Sequence, residues 1–163
     1  MITIRRGVFE TNSSSTHSIV IARENTKPYD RIDFKIGEYG WSRDVLESPN
    51  EKASYFYTSA CDFLNRDVAN DIVALLAPYG INCTFSKRAE FKPYGEHEYL
   101  DNGYVDHSEN SGEFVNALLN DASQLIDYLW NDESYVETGN DNDDYGVGKK
   151  KPRCEYIEYY KGN

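Results

Sequence analysis

The residues best suited to chemistry lie near the start of the chain, where hydroxyl and amide side chains run together. The segment reads Glu10, Thr11, Asn12, Ser13, Ser14, Ser15, Thr16 and His17, with Arg5 and Arg6 just before it. Hydroxyls and backbone N–H groups in such a loop can cradle a phosphate or a carboxylate, and Arg6 could neutralise that charge. His17 could exchange a proton near neutral pH, and Ser15 could be a nucleophile. The segment raises the hypothesis of an enzyme or a phosphorylated-ligand site at His17, Ser15 and Arg6.

A structural interpretation of the same loop, residues 11–18, is equally open. The segment has no G-x-S-x-G elbow, no S-x-x-K pattern and no P-loop, so the catalytic idea lacks a recognised motif. Asn12 and the serines could bond their own backbone in a turn, and His17 could fill an ordinary hydrogen-bonded site.

The N-terminal string also resembles a known group of proteins. An Arg-x-x-Phe-Glu-Thr-Asn-Ser-Ser-Ser-Thr-His-Ser run, here ending at Ser18, is similar to the opening of small proteins from bacteriophages and other mobile elements. The resemblance covers about the first 20 residues and brings no catalytic mechanism with it. It implies a phage origin and action in the host bacterial cytoplasm, a setting in which acidic proteins that block host nucleases and defence complexes occur.

Charge divides the chain into two unequal halves. Residues 1–89 hold 11 acids and 11 bases, whereas residues 90–163 hold 17 acids and 6 bases and so carry the whole net charge of −11. No lysine or arginine occurs from residue 93 to residue 148. The acids of this window are Glu96, Glu98, Asp101, Asp106, Glu109, Glu113, Asp121, Asp127, Asp132, Glu133, Glu137, Asp141, Asp143 and Asp144.

Two interpretations fit this acidic window. Ordered carboxylates without compensating cations repel one another, a cost that a positively charged partner would remove. The window therefore predicts a surface that imitates the phosphates of a nucleic acid and binds a basic host protein, such as a nuclease or a defence effector. The alternative is a highly soluble acidic face. The net charge argues against direct nucleic-acid binding in either case.

The elements that must position these residues follow from hydrophobic periodicity. Alternating patterns predict strands at residues 2–6, 18–23, 31–36 and 81–86, with closing strands at 134–137 and 154–160. The strand at 81–86 is expected to pair with a short one at about 89–92. Ser48 and Glu51 predict a capping box for a helix, and a second helix is expected at about 66–77, ending at Pro78-Tyr79-Gly80. A third helix is predicted from Glu113 to Trp130, with Asn116, Asn120, Gln124 and Asp127 on its wet face.

This order of elements predicts an α+β fold. The 163 residues suit a single domain, with a mixed or antiparallel sheet and about three helices. Helices grouped between sets of strands argue against a strictly alternating parallel sheet. The neutral half, 1–89, and the acidic half, 90–163, are expected to share that domain.

The remaining motifs predict no cofactor, no metal and no membrane span. Asp141 to Gly146 begins like a calcium loop, but the twelfth position is Pro152 in place of a bidentate Glu. Cys61, Cys83 and Cys154 are too widely spaced for a zinc pattern and predict reduced thiols. No apolar run approaches 18 residues, and no apolar core follows the first arginines as in a secretory signal.

Three functions remain open from the sequence. The leading hypothesis is a non-enzymatic, phage-encoded inhibitor of anti-CRISPR or anti-restriction type that mimics nucleic-acid charge. The alternative is an enzyme or a nucleotide-binding domain centred on the serine-rich loop. The third is a virion or scaffold component, and the oligomeric state is not predicted.

Overall fold

A five-stranded mixed sheet forms the centre of the fold. The computed structural model describes residues 3–4, 15–40, 42–106, 111–140 and 150–161. In their spatial order the strands of this sheet are β1 (Thr3–Ile4), β11 (Tyr156–Lys161), β2 (Ser15–Ala22), β10 (Tyr135–Asn140) and β5 (Asp44–Leu46). β1 runs parallel to β11 and the other neighbours are antiparallel. The expected mixed sheet is confirmed.

Three two-stranded sheets flank the central one. β3 (Arg31–Lys35) pairs in parallel with β6 (Asn82–Lys87), β4 (Glu38–Tyr39) pairs in parallel with β9 (Tyr104–Val105), and β7 (Phe91–Tyr94) pairs antiparallel with β8 (His97–Leu100). The expected pairing of residues 81–86 with the strand near 89–92 is wrong. β6 pairs with β3 because Phe85 stacks on the buried Phe34, with ring centroids 5.2 Å apart.

Helix α1 (Pro49–Leu64) starts at the predicted capping box. The Ser48 hydroxyl accepts from the Glu51 N–H at 3.3 Å, and the Glu51 carboxylate accepts from the Ser48 N–H at 3.1 Å. These reciprocal bonds satisfy two backbone donors that the helix itself leaves unpaired. Pro49 stands at the first helical position, where its missing N–H costs nothing.

Helix α2 (Ala69–Leu76) also ends as predicted. A 3₁₀ turn over Ala77–Tyr79 follows it, and Gly80 then adopts a left-handed conformation with φ of 73°. Glycine carries no Cβ penalty in that region, so the chain can leave the helix there.

The predicted helix from Glu113 to Trp130 is in fact two helices, α3 (Gly112–Asn120) and α4 (Ala122–Trp130). Asp121 breaks the run with extended angles, φ −137° and ψ 98°, and its carboxylate caps α4 by accepting from the Gln124 N–H at 3.0 Å. The break rotates α4 relative to the expected single helix. Gln124 and Asp127 are buried, so their predicted place on the wet face is wrong.

The helices and the central sheet enclose one main core. Ile19 and Ile21 of β2 pack in it with Phe56 of α1, Phe114 of α3 and Leu129 of α4. Alternate residues of β2 face this side because side chains alternate along a strand. Four α-helices occur within the described ranges, one more than predicted, and the single-domain α+β class is confirmed.

Candidate functional site

The serine-rich segment is a strand where the structure describes it. Ser15, Thr16 and His17 belong to β2, where Ser15 pairs with Asn140 and His17 with both Thr138 and Lys161. The expected loop over 11–18 is therefore wrong from Ser15 onward, because two neighbouring strands hold this part of the chain in the sheet. Arg6, Glu10, Thr11, Asn12, Ser13 and Ser14 lie outside the described residues.

His17 lies in the interior, between the sheet and helix α1. Its Nδ1 is 2.8 Å from the Tyr55 hydroxyl oxygen, and both side chains are fully buried. Gly40, at φ +132°, lies against the imidazole, since a Cβ there would be 3.3 Å from His17 Nε2 and 2.5 Å from the Asp106 Cβ. Ser15 is buried as well. This geometry suits a histidine that joins two elements, and it gives the catalytic alternative no support.

Several of the acids predicted to line a partner surface serve the fold instead. Asp127 is 2% exposed, accepts from the Thr26 N–H at 2.9 Å and lies 3.5 Å from the Arg23 guanidinium. Including Asp127 in a contact surface is therefore wrong, because the break at Asp121 turns it inward. Glu137 pairs with Arg43 at 3.6 Å.

Three further acids are also partly inside. Asp121 caps α4 and is half-buried, and Glu133 accepts from the Arg153 N–H at 2.9 Å. Asp106 is half-buried, with its Oδ2 enclosed beside Gly40. These three carboxylates therefore do not form an exposed row that a partner could contact.

The corner beside Asp127 is a polar network beneath a small cleft. Lys52 is buried, and its ammonium donates to the carbonyls of Asn131 and Ser134 at 3.1 and 3.0 Å. Burial lowers the pKa of Lys52 to about 8, although the charges of Asp132 and Glu51 oppose that shift. Sequence reasoning missed this lysine, since an isolated Lys in an amphipathic helix carries no sign of burial.

The cleft itself has a volume of about 200 Å³ and is lined in part by Asn25, Thr26, Tyr79 and Asp127. Both carboxylate oxygens of Asp127 are already engaged, by Thr26 and by Arg23. The polar groups at its base hold the corner together, so the cleft presents no free charge to a ligand there.

Within the part of the chain that the structure describes, the acids that remain exposed do not form one face. Glu96 and Glu98 belong to the β7–β8 hairpin, and Asp101 directly follows it. Glu113 lies in the first turn of α3, and Asp132 lies in the turn that Lys52 holds. The hairpin leads into β9, where the Val105 N–H donates to Asp62 at 3.0 Å. Lys52 and Asp62 are ten residues apart on α1, or about 15 Å at 1.5 Å per residue. Asp132 and the hairpin therefore lie toward opposite ends of α1. Glu109, Asp141, Asp143 and Asp144 lie outside the described residues.

Among the described elements of the acidic half, the β7–β8 hairpin is the most exposed. Every residue from Lys92 to Tyr99 is exposed, while Leu100 is buried and Phe91 packs against the core. Gly95, at φ +62°, and Glu96 make the two-residue turn. The hairpin is thus anchored at its base and displays its two strands to solvent.

The hairpin carries two exposed tyrosines close to each other. Tyr94 is 79% exposed and Tyr99 is 43% exposed, with ring centroids 6.3 Å apart and planes at 83°. The Lys92 ammonium pairs with Asp101 at 2.8 Å. Sequence reasoning named Glu96, Glu98 and Asp101 but missed the second strand, although Pro93-Tyr94-Gly95-Glu96 is a usable turn signal.

The metal and thiol predictions concern other parts of the chain. Over the described ranges, no group of three histidine, cysteine, aspartate or glutamate side chains is arranged to hold a metal ion. The three cysteines are free thiols, and burial raises the pKa of Cys61 to about 12 and that of Cys83 to about 11. The calcium-like residues Asp141 to Gly146 lie outside the described residues.

Comparison with known proteins returned no match to this chain among family models, curated proteins or solved structures. The helices of the described residues are all too short or too polar to cross a membrane.

Proposed function

We propose that this protein is a non-enzymatic inhibitor that binds a positively charged, nucleic-acid-binding host protein through the β7–β8 hairpin. The observation that carries the proposal is that every residue from Lys92 to Tyr99 is exposed, on an anchored hairpin that presents both tyrosines and carboxylates. Tyrosine is enriched at the energetic centres of interfaces, because its large rigid ring buries area at little entropic cost.

Charge supports the choice of partner. The chain carries −11 overall, and Glu96 and Glu98 stand exposed on the same hairpin as the tyrosines. A basic partner would be steered toward such a surface, and its lysines or arginines could form charge-assisted bonds with the carboxylates. A protein that binds nucleic-acid phosphates already carries such lysines and arginines on its binding surface. The N-terminal resemblance to phage proteins supports a bacterial host protein as the partner.

The proposed contact is narrower than the whole acidic window. Asp127, Glu137 and Asp121 are engaged within the fold, so they are not part of the proposed surface. The mechanism is competition, in which the hairpin occupies part of the partner's nucleic-acid site.

The test uses the immobilised full chain, a bacterial lysate and mass spectrometry, followed by binding measurements with the purified partner. We expect one dominant nucleic-acid-binding protein that is released as salt rises, since screening weakens attraction between exposed charges. The partner's own nucleic acid should displace the chain. An empty capture, or a partner that binds chain and nucleic acid together, would overturn the proposal.

Two matched variants locate the surface. The Y94A/E96K variant removes one exposed tyrosine and reverses one neighbouring acid on the hairpin, and it should weaken binding at least about tenfold. The Y29A/D30K variant makes the same chemical change at another exposed site, where Tyr29 is 70% exposed, and it should bind as the natural chain does. Equal binding by both variants would exclude the hairpin as the contact.

A further inference from the structure

The register of the hairpin sorts its side chains onto two faces. Tyr94 pairs with His97 and Lys92 with Tyr99, so these four share one face. Phe91, which packs against the core, pairs with Leu100 on the other face, on which Glu98 also lies. We call this outer face the tyrosine platform. It also carries Lys92 and His97, with Glu96 in the turn and Asp101 paired with Lys92.

The two rings of the platform leave an aromatic surface open to solvent. Tyr94 and Tyr99 meet nearly at right angles, which is a favourable edge-to-face pair. Tyr94 is 79% exposed, so this contact leaves most of its ring uncovered. The face of a tyrosine ring is electron-rich and attracts cations, and it favours the flat, weakly hydrated guanidinium over the compact, strongly hydrated ammonium.

The charges around the platform favour the same ligand. The positive charge of Lys92 is offset by Asp101 at 2.8 Å, which reduces its repulsion of an incoming cation. Glu96 stands in the turn beside Tyr94 and is exposed. A carboxylate can accept two parallel N–H bonds from a guanidinium, an arrangement that an ammonium cannot match.

We infer that the hairpin recognises arginine on its partner, with a guanidinium stacked on Tyr94 and paired with the Glu96 carboxylate. The inference rests on the proposed function only for the identity of the natural partner. The platform and its preference for arginine over lysine are properties of the hairpin itself.

The test compares two peptides of equal length and charge, one with arginine and one with lysine at every basic position. Binding is measured by calorimetry at low salt, and the ring signals of Tyr94 and Tyr99 are followed by NMR. We expect the arginine peptide to bind at least about threefold more tightly, the range of one exposed cation–π contact, and to shift both ring signals.

Two substitutions identify the source of that preference. Y94L keeps an apolar side chain without the ring face and should reduce the preference for the arginine peptide, whereas Y29L should keep it in full. E96Q should weaken the arginine peptide more than the lysine peptide. Equal affinities in the natural chain, or an undiminished preference in Y94L, would overturn the inference.

The outcomes for the two proposals are separable. If the captured partner depends on the hairpin but the peptides bind equally, the proposed function stands and arginine recognition fails. If the natural chain prefers arginine but Y94A/E96K still captures the partner, the inference stands and the proposed contact fails.

Discussion

Two regions of the acidic half use their charged groups in opposite ways. In the corner formed by α4 and the turn to β10, Asp127 is buried and bonded to Arg23 and Thr26 of the segment after β2. Lys52 of α1 is buried in the same corner and donates to the carbonyls of Asn131 and Ser134. In the β7–β8 hairpin, Glu96 is exposed in the turn beside Tyr94, and Glu98 is exposed on the face opposite the tyrosines. The acids of both regions come from the same stretch of sequence, residues 93–148, which contains no lysine or arginine. Charge along the chain therefore does not reveal whether a carboxylate stabilises the fold or contacts a partner.

The ion pairs explain why the two regions differ. Arg23 and Arg43 come from the neutral half and pair with Asp127 and Glu137 of the acidic half. The tertiary structure thus supplies the cations that the window lacks. A smaller set of acids remains exposed. Within that set, Glu96 and Glu98 lie on the hairpin that also carries the exposed rings of Tyr94 and Tyr99.

The largest effect is expected from reversing a charge in the corner. D127K places an ammonium against Arg23 and leaves the Thr26 N–H without its acceptor. Breaking a buried pair costs about 3–5 kcal/mol, and the partial exposure of Arg23 places this case near about 3 kcal/mol. Urea unfolding should show that loss. E98K should stay within about 0.5 kcal/mol of the natural chain, and equal losses would contradict the division between the two regions.

A pH dependence should mark Lys52. Its pKa of about 8 when folded lies below its ordinary value of 10.5, so the folded chain releases this proton before the unfolded chain does. Stability from this group is therefore lowest below about pH 8 and rises as the pH increases to 10.5.

The comparison with K52M isolates this effect from the tyrosines and thiols that titrate in the same range. The free energy of unfolding of the natural chain, relative to K52M, should rise between pH 8 and 10.5 by up to about 3 kcal/mol, at about 1.4 kcal/mol per pKa unit. If the difference in free energy of unfolding stays constant or falls as the pH rises, burial does not lower the pKa of Lys52.

A smaller effect is expected at the buried histidine. Y55F removes the hydroxyl that lies 2.8 Å from His17 Nδ1, and losing one buried hydrogen bond costs about 1 kcal/mol. Thermal or urea unfolding measures this loss, and partner capture should be unchanged. Capture lost from a stable Y55F protein would instead give the His17 cluster a functional role.

The smallest effect on stability is expected in the hairpin. Y94A should change the free energy of unfolding by less than about 0.5 kcal/mol, because the ring is mostly exposed and the hairpin is anchored by Leu100 and Phe91. The same substitution should weaken partner binding. A stability loss comparable to that of D127K would mean that the tyrosine pair belongs to the fold.

The fold class and many local elements could be predicted, whereas the site could be predicted only in part. Ser48 with Glu51, and Gly80 after α2, act through bonds within a few residues, so the sequence shows them directly. The acids of the hairpin were named as members of an acidic window, but their separation from Asp127 could not be predicted. That separation depends on the break at Asp121, where a side-chain cap outweighs a continuous hydrophobic period.

The sequence by itself determined the strand and helix patterns, the capping box, the helix end at Gly80 and the net charge of −11. These depend on side-chain type and on contacts between near neighbours. Only the tertiary structure decided that His17 is buried against Tyr55, that Arg23 reaches Asp127, and that β6 pairs with β3. The physical reason is distance along the chain, because burial and pairing between residues many positions apart depend on the packing of the whole domain.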